Sequence, residues 1–454
     1  MKVQIETLGC KVNSVESESI AKLFEQRGHT IVKRGGDAVV INTCCVTAEA
    51  EAKSRQAIRR NLKNGLKVAV MGCYSQLEPE EVRETGADVV IGTAQRSSIV
   101  DLLEEALEKP TVTKSAYETV FGEQEQLKLA ELKGKFEELP YGMSRTRAFI
   151  KVQDGCNGNC TYCVIPKVRG QSRSRTAKSI IEEVTKLTDY KEIVLTGIHL
   201  GQYGQDKRSN LSRLLKKVLD NTDARVRLSS IEVNEITDDL IDLFKSYPQL
   251  CRHLHIPLQS GSEAVLEMMN RRYTTAEYTA KINTLITELP DLTIGTDVIA
   301  GFPAETEVHV QEGLKFIEAL PIAYMHVFQY SPRPGTIAAS MTQVNPQIKK
   351  GRAARLIALS QKKNRKWRES WLNKEVEVLT EQFKDDYTTG HSKEYLKVYL
   401  EGKVKTNKII TVEVTDIFED GVKGIIKNAA DENLNVKDES DDVNLNDELI
   451  QTIE

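Results

Sequence analysis

The feature that most constrains this chain is a twice-repeated alternation of short apolar runs with segments of helical period. From residue 3 to about 107, KVQIETL, DAVVINT, KVAVMG and DVVIG are each followed by a helix-length stretch, at 13–27, 48–63, 78–84 and 97–107. Parallel strands need a crossover of a dozen residues or so, usually a helix, so this rhythm predicts a parallel α/β sheet. A second cycle places strands at AFIKVQ (148–153), EIVLTG (192–197), RVRLSS (225–230), HLHIPL (253–258), TIGTDVIAG (293–301) and YMHVFQYS (324–331). Six β/α units fall two short of a closed eightfold barrel, which predicts an incomplete (β/α)6 barrel. A basic helix, about 346–372, precedes VEVLTEQ, YLKVYLE and KIITVEVTDIFEDGVKGII, whose period-two alternation predicts a small β-barrel. The expected organisation is an α/β domain over 1–110, a charged connector over 111–144, the partial barrel over 145–372, the small barrel over 373–430 and an acidic tail over 431–454.

Charge refines this division. The net charge is -4, yet residues 431–454 contain nine Asp or Glu and one Lys, so the remainder is cationic by +4. Such a polar tail without aromatics cannot repay its ordering entropy, and disorder is expected there. No signal-peptide pattern and no run of ~18 apolar residues occurs, which points to a cytoplasmic protein without a membrane partner. In that compartment eight cysteines are expected as thiols or metal ligands rather than disulfides.

Their spacing is informative. CNGNCTYC puts Cys156, Cys160 and Cys163 in a Cys-x3-Cys-x2-Cys loop directly after the first strand of the second cycle. Three close thiolates can wrap one face of an iron-sulfur cluster and leave one iron open. A structural zinc loop would want four ligands, usually in Cys-x2-Cys pairs. Cys10, Cys44 and Cys73 lie far apart in sequence, each within a residue or two of the end of a predicted strand, where open parallel sheets bind ligands. Taken singly, each reads as a buried bystander; together they suggest a second three-ligand site. Cys45 adjoins Cys44, so spacing alone leaves the ligand of that pair open, and Cys251 has no partner motif.

The three-cysteine loop resembles the radical S-adenosylmethionine superfamily, whose open iron chelates S-adenosylmethionine. With GCKVNSVESE, NTC and the GC word after the third strand, nearly the whole chain resembles the methylthiotransferase family. The resemblance implies two [4Fe-4S] clusters, a radical one on Cys156, Cys160 and Cys163 and an auxiliary one on Cys10, Cys44 and Cys73, with S-adenosylmethionine as radical source and methyl donor. It assigns Cys44 rather than Cys45. The family's usual Gly-Gly-Glu after the second barrel strand is absent, and Thr196, Gly197 and Ile198 stand there. Thr196, Gly197, Ser230, Glu232, Gln259 and Gly301, at or near strand ends, are the candidate cofactor-pocket residues.

KVQDGCNGNCTYCVIP, RGQSRSR, EIVLTGIHLGQYG, LSSIEVNEIT and HLHIPLQSGS resemble the branch that modifies N6-threonylcarbamoyladenosine at position 37 of transfer RNA. The alternatives are isopentenyladenosine at that position, a ribosomal-protein aspartate, or an RNA-binding protein with vestigial metal sites. The resemblance implies the anticodon stem-loop as partner, an electron donor such as flavodoxin or ferredoxin, a sulfur donor, and an RNA-binding TRAM module in the small barrel. Lys167, Arg169, Arg173 and Arg175 crowd behind the cysteine loop, and nine Lys or Arg lie between 349 and 368. Such clusters pair phosphates or form a solvated face. Arg173 and Arg333 are the candidates for meeting the threonylcarbamoyl carboxylate, and Arg333 joins the RNA-binding set.

Overall fold

The structure, a computed structural model, describes residues 1–108, 135–141 and 146–427, and the backbone of 450–452. The first sheet is parallel: β1 (Lys2–Gly9), β3 (Ala38–Thr43), β4 (Lys67–Gly72) and β5 (Val89–Val90) lie side by side in chain order, with short β2 (Thr30–Ile31) flanking the start of β1. Ala38–Thr43 is buried throughout, as expected for a central strand covered on both faces. Helices α1 (Lys11–Gln26), α2 (Ala48–Lys63) and α3 (Cys73–Leu77) each begin just after the carboxyl end of a strand of this sheet.

In the second domain β6 (Ala148–Asp154), β8 (Glu192–Gly197) and β9 (Arg225–Leu228) run parallel, and β7 (Arg173–Ser174) pairs antiparallel with the end of β6. A further parallel set is β10 (His253–His255), β11 (Thr293–Ala300) and β12 (Tyr324–Gln329). A parallel bridge from Val226 to Leu250, with Cys251 N donating to Val226 O at 2.8 Å, links the two into one curved six-stranded wall. The third strand stops at Leu228, so Ser230 and Glu232 sit in the loop beyond it rather than on the strand. The long basic helix runs Pro346–Glu369 and is capped by Asn345, whose side chain accepts from Gln347 N.

Side chains of this wall alternate with period two. Ile150, Val152, Ile193, Leu195, Val226, Leu228, Leu254, Ile294 and Val298 join the apolar core under the helices. The intervening positions, including Lys151, Glu192, Thr196, Arg227, His255, Asp297 and His326, project to the concave side. Closed β/α barrels fill that interior with branched apolar side chains, whereas this one lines it with polar groups.

The C-terminal barrel is closed: β13 (Glu375–Lys384), β14 (Tyr387–Ser392), β15 (Lys397–Glu401), β17 (Gly421–Ile426) and β16 (Ile409–Phe418), antiparallel except between β15 and β17. Residues 109–134 and 142–145, which include most of the 111–144 connector, lie outside the described residues, and 135–141 form neither helix nor strand. Most of the tail expected to be disordered is also outside them. Its described part departs from that expectation: β18 (Ile450–Thr452) pairs in parallel with Thr7–Gly9. The physical reason is the edge of β1, which β2 covers only at Lys2 and Val3, leaving ladder groups open beyond. No described helix is long and apolar enough to cross a membrane.

Candidate cysteine centres and the barrel interior

Cys10, Cys44 and Cys73 follow directly on β1, β3 and β4, at one end of adjacent parallel strands. Two glycines permit this. Gly9 has φ 126°, and a Cβ there would lie 3.0 Å from Cys44 Cβ; Gly72 has φ 107°, and a Cβ would lie 2.5 Å from Thr43 O. Asn13 ties the ends together: its amide donates to Asn42 Oδ1 at 2.9 Å and Thr43 O at 3.1 Å, while its Oδ1 accepts from Cys10 Sγ at 3.3 Å. Cys10 is exposed, while Cys44, Cys45 and Cys73 are buried. Burial, with Cys73 and Cys10 nearby, pushes the Cys44 thiol up to about 12. Cys73 is pulled down to about 6, first by a hydrogen bond with Cys45 and then, against burial, by Arg169.

Cys156, Cys160 and Cys163 stand beyond the end of β6 in a loop whose Cys163 N donates to Cys160 O at 3.1 Å. Donors converge on its sulfurs. Gly158 N reaches Cys156 Sγ at 3.2 Å and Arg271 Nη1 reaches Cys160 Sγ at 3.3 Å, while His199 Nδ1 lies 3.1 Å from Cys156 Sγ. The other nitrogen of His199 meets Glu235 at 2.8 Å. Burial opposes the imidazolium, yet Cys156 and Glu235 raise His199 to about 10. Soft thiolates with donors trained on their sulfurs fit an iron-sulfur cluster, whose potential responds to such contacts.

A buried ion network runs from Cys73 to the end of β6, just before the loop of the other set. Arg169, wholly buried, donates from Nε to Cys73 Sγ at 3.2 Å and from Nη1 to Glu16 at 2.6 Å and Asp154 at 3.3 Å. Asp154 lies two residues before Cys156, and Lys151 reaches Glu16 at 2.6 Å and Asp154 at 2.7 Å. Arg96 adds a third cation, 3.0 Å from Glu16. Against burial, Arg169, Arg96 and Lys151 hold Glu16 down at about 2. With Glu137 on Arg96 at 2.8 Å and Arg173 3.5 Å from Asp154, four cations face three carboxylates, and the remaining positive charge offsets part of the cost of burying the thiolates.

This overturns part of the RNA-binding expectation. Arg169 contacts a cysteine, not solvent, and Arg333 is buried against Glu51 and donates to Cys45 O at 3.3 Å. Arg175 pairs with Glu183, Arg173 reaches Asp154 at 3.5 Å, and Lys167 donates to Gly335 O. The run RGQSRSR looks like a basic patch in one dimension; folding turns much of it inward onto acidic partners. On the long helix, Arg355, Lys362 and Arg365 are likewise matched by Glu307, Glu318 and Glu369.

The pocket candidates divide similarly. Thr196 is buried at the concave face, Ser230 Oγ lies 2.8 Å from His255 Nδ1, and Glu232 pairs with Arg271. His255 Nε2 and His326 Nδ1 flank Asp297 Oδ1 at 3.2 and 3.4 Å, which extends the Ser230 contact into a chain across three strands. Gly197 packs on Gln153, where a Cβ would lie 2.8 Å from Oε1. Gln259, at φ 64°, continues the ladder by donating to Asp297 O and accepting from Ile299 N. Gly301 is separate: a Cβ there would meet Lys349 Cγ of the long helix at 2.5 Å, so it serves packing.

At the opposite end of the wall the C-terminal barrel presents Tyr395. Its ring stacks on His253 at 4.5 Å and on His391 at 5.0 Å, under the Arg227 guanidinium at 5.0 Å. Arg227 also holds Glu192 at 2.7 Å and Ser392 O at 3.0 Å, and Arg147 holds Glu381 at 3.3 Å.

Residues 2–92 match the uncharacterized protein family UPF0004 and residues 150–317 the radical SAM superfamily. The threonylcarbamoyladenosine tRNA methylthiotransferase MtaB of Bacillus subtilis is 38% identical over 432 residues, covering 91% of this chain and 93% of its own. Its namesake from Thermotoga maritima is 37% identical, covering 92% and 96%. The chain belongs to the MtaB-type tRNA methylthiotransferase family. A tRNA-2-methylthio-N(6)-dimethylallyladenosine synthase from Desulfitobacterium hafniense is 33% identical, covering 89% and 92%. The radical S-adenosylmethionine methyltransferase TsrM of Kitasatospora setae, 14% identical, shares the fold at a TM-score of 0.52 over 74% of this chain and 77% of that one.

In this MtaB-type chain several groups at the site escaped sequence reasoning. Asn13 and His199 stand inside the quoted words GCKVNS and TGIHLGQ, so their signal was present and unread. Glu16 and Lys151 likewise stand inside GCKVNSVESE and KVQDGCNGNCTYCVIP, but what gives them their role is burial beside charges from a distant segment, and Arg271 lies outside every quoted word and is marked only by its contact with Cys160.

Proposed function

We propose that this chain transfers a methylthio group to carbon 2 of N6-threonylcarbamoyladenosine at position 37 of transfer RNA. The observation that carries this reading is the pair of three-cysteine sets beside a barrel whose concave face is polar, with Arg169 reaching from Cys73 to Asp154 at the foot of the second cysteine loop. Relatives whose names state that activity align along nearly their whole length. Cys156, Cys160 and Cys163 would hold a [4Fe-4S] cluster with S-adenosylmethionine, and Cys10, Cys44 and Cys73 a second one. Those groups, when bound, supply the 5′-deoxyadenosyl radical, the sulfur and the methyl group that no side chain can provide.

The chain's own residues position and insulate. Arg271 and His199 hold the sulfurs of the radical site by hydrogen bonds, while Arg169 balances the charge of Cys73. Thr196, Gly197, Ser230, Glu232 and Gln259 form the upper rim of the cofactor pocket. The target base must leave its stack to reach this interior, which costs least in a single-stranded loop such as the one beside the anticodon. Residues 1–110 bring the auxiliary site, 145–372 the radical site and 373–430 an RNA-binding barrel of TRAM type. A reductant of flavodoxin or ferredoxin type and a separate sulfur donor complete the cycle in the cytoplasm.

The test is anaerobic turnover with threonylcarbamoylated transfer RNA, following 5′-deoxyadenosine and the methylthiolated nucleoside together. Both products are expected. Turnover of dimethylallyladenosine RNA instead would move the chain to the other branch, and no methylthiolated nucleoside from either RNA would overturn the reading.

A further inference from the structure

We propose that Lys11 is the specificity residue of this site and that its ammonium pairs with the carboxylate of the threonylcarbamoyl group. The inference rests on the substrate reading above and deepens it. Helix α1 of the first domain lies across the concave face of the second, pinned by the Glu16–Lys151 pair at 2.6 Å. Lys11 is the first residue of α1, directly after Cys10, and it is exposed. Its ammonium stands 6.0 Å from the ring centroid of Tyr395, and its charge is felt by His253. The side chain therefore spans from the auxiliary cysteines to the aromatic floor that the C-terminal barrel supplies. All three domains meet there: Lys11 from the first, His253 from the second and Tyr395 from the third.

The other cations of this interior already have carboxylate partners. Arg147 and Arg227 share Glu192, with Glu381 also on Arg147; Arg271 has Glu232; His255 and His326 have Asp297. The two arginines expected from the sequence to meet the substrate carboxylate, Arg173 and Arg333, face Asp154 and Glu51. Among the described residues no carboxylate lies within ion-pair distance of Lys11. An unmatched ammonium on a flexible four-carbon stem, beside an aromatic wall, suits a ligand that brings its own anion. A neutral apolar N6 group would strip water from the lysine and return nothing, so the same residue that favours the acid disfavours the dimethylallyl substrate. Stacked imidazole and phenol faces at His253 and Tyr395 would bear on the flat purine, leaving the charge to choose among its substituents.

The experiment uses the reconstituted full chain and three anticodon stem-loop RNAs that differ at position 37: the threonylcarbamoyl acid, its methyl ester and the dimethylallyl nucleoside. Charge-assisted hydrogen bonds predict that the wild-type protein binds the acid about tenfold to a hundredfold more tightly than the ester. Lys11→Gln should bring that ratio close to one, through Kd and KM rather than kcat, and Lys11→Arg should keep most of it. Lys11→Met, which retains the stem's packing, should behave as Lys11→Gln, and the iron content of each variant reports that Cys10 still serves its site. Persistence of the acid preference in Lys11→Gln and Lys11→Met overturns the proposal. So does equal loss of acid and ester binding, which marks a structural role. Wild-type turnover of the dimethylallyl RNA alone overturns instead the substrate reading on which the proposal stands.

Discussion

The two cysteine sets are built in opposite ways. Cys156, Cys160 and Cys163 come from one loop, so a short stretch of chain determines their spacing, and Arg271 and His199 come from elsewhere to stand against their sulfurs. Cys10, Cys44 and Cys73 come from three strand ends and converge only when the parallel sheet is in register, with Gly9 and Gly72 turning the chain and Asn13 lacing the ends. The first site is a local motif set on a scaffold; the second is a property of the scaffold. Perturbing the fold should therefore damage the second before the first.

The largest expected effect separates the two directly. Cys156→Ala abolishes release of 5′-deoxyadenosine, whereas Cys73→Ala leaves release measurable and stops thiolation. Undiminished sulfur insertion by the Cys73 variant would break the comparison. Next is Arg169→Gln, which leaves Glu16 and Asp154 short of a buried counter-charge and is expected to cost about 3–5 kcal/mol, read from denaturant unfolding. An effect no larger than that of a surface arginine would mean that the link between the sites is not energetically coupled. Smallest is Gly72→Ala, which forces a side chain into φ 107° and onto Thr43 O, at about 1–3 kcal/mol. Its sharper readout is iron: content should fall from two clusters toward one, with the Cys156 site retained. Equal loss from both sites would show that they are assembled as one unit.

The same contrast explains what was readable beforehand. The alternation of apolar runs located the strands of both α/β units, because burial on a sheet face repeats along the chain. It was equally able to mark the closed C-terminal barrel, whose Val376, Val378, Val412 and Val414 alternate inward. Charge was less legible. Arg169, Arg175 and Arg333 carry the same letter as a phosphate-binding arginine, and only the acidic groups folded against them reveal another role. The tail read as wholly disordered from its composition, yet Ile450–Thr452 adds to the open edge of β1, a partner invisible from the tail's own residues.

By itself, the order of residues determined the two α/β cycles, the three-cysteine loop and the family words, since each depends on neighbours a few positions apart. Tertiary structure alone decided that Cys73 and Asp154 share Arg169, that the barrel's concave face is polar and floored by Tyr395, and that Lys11 stands over that floor with no carboxylate of the described residues paired to it. Those outcomes depend on side chains from distant segments meeting, Cys73 and Arg169 being 96 residues apart, and no periodicity along the chain records which charges will meet.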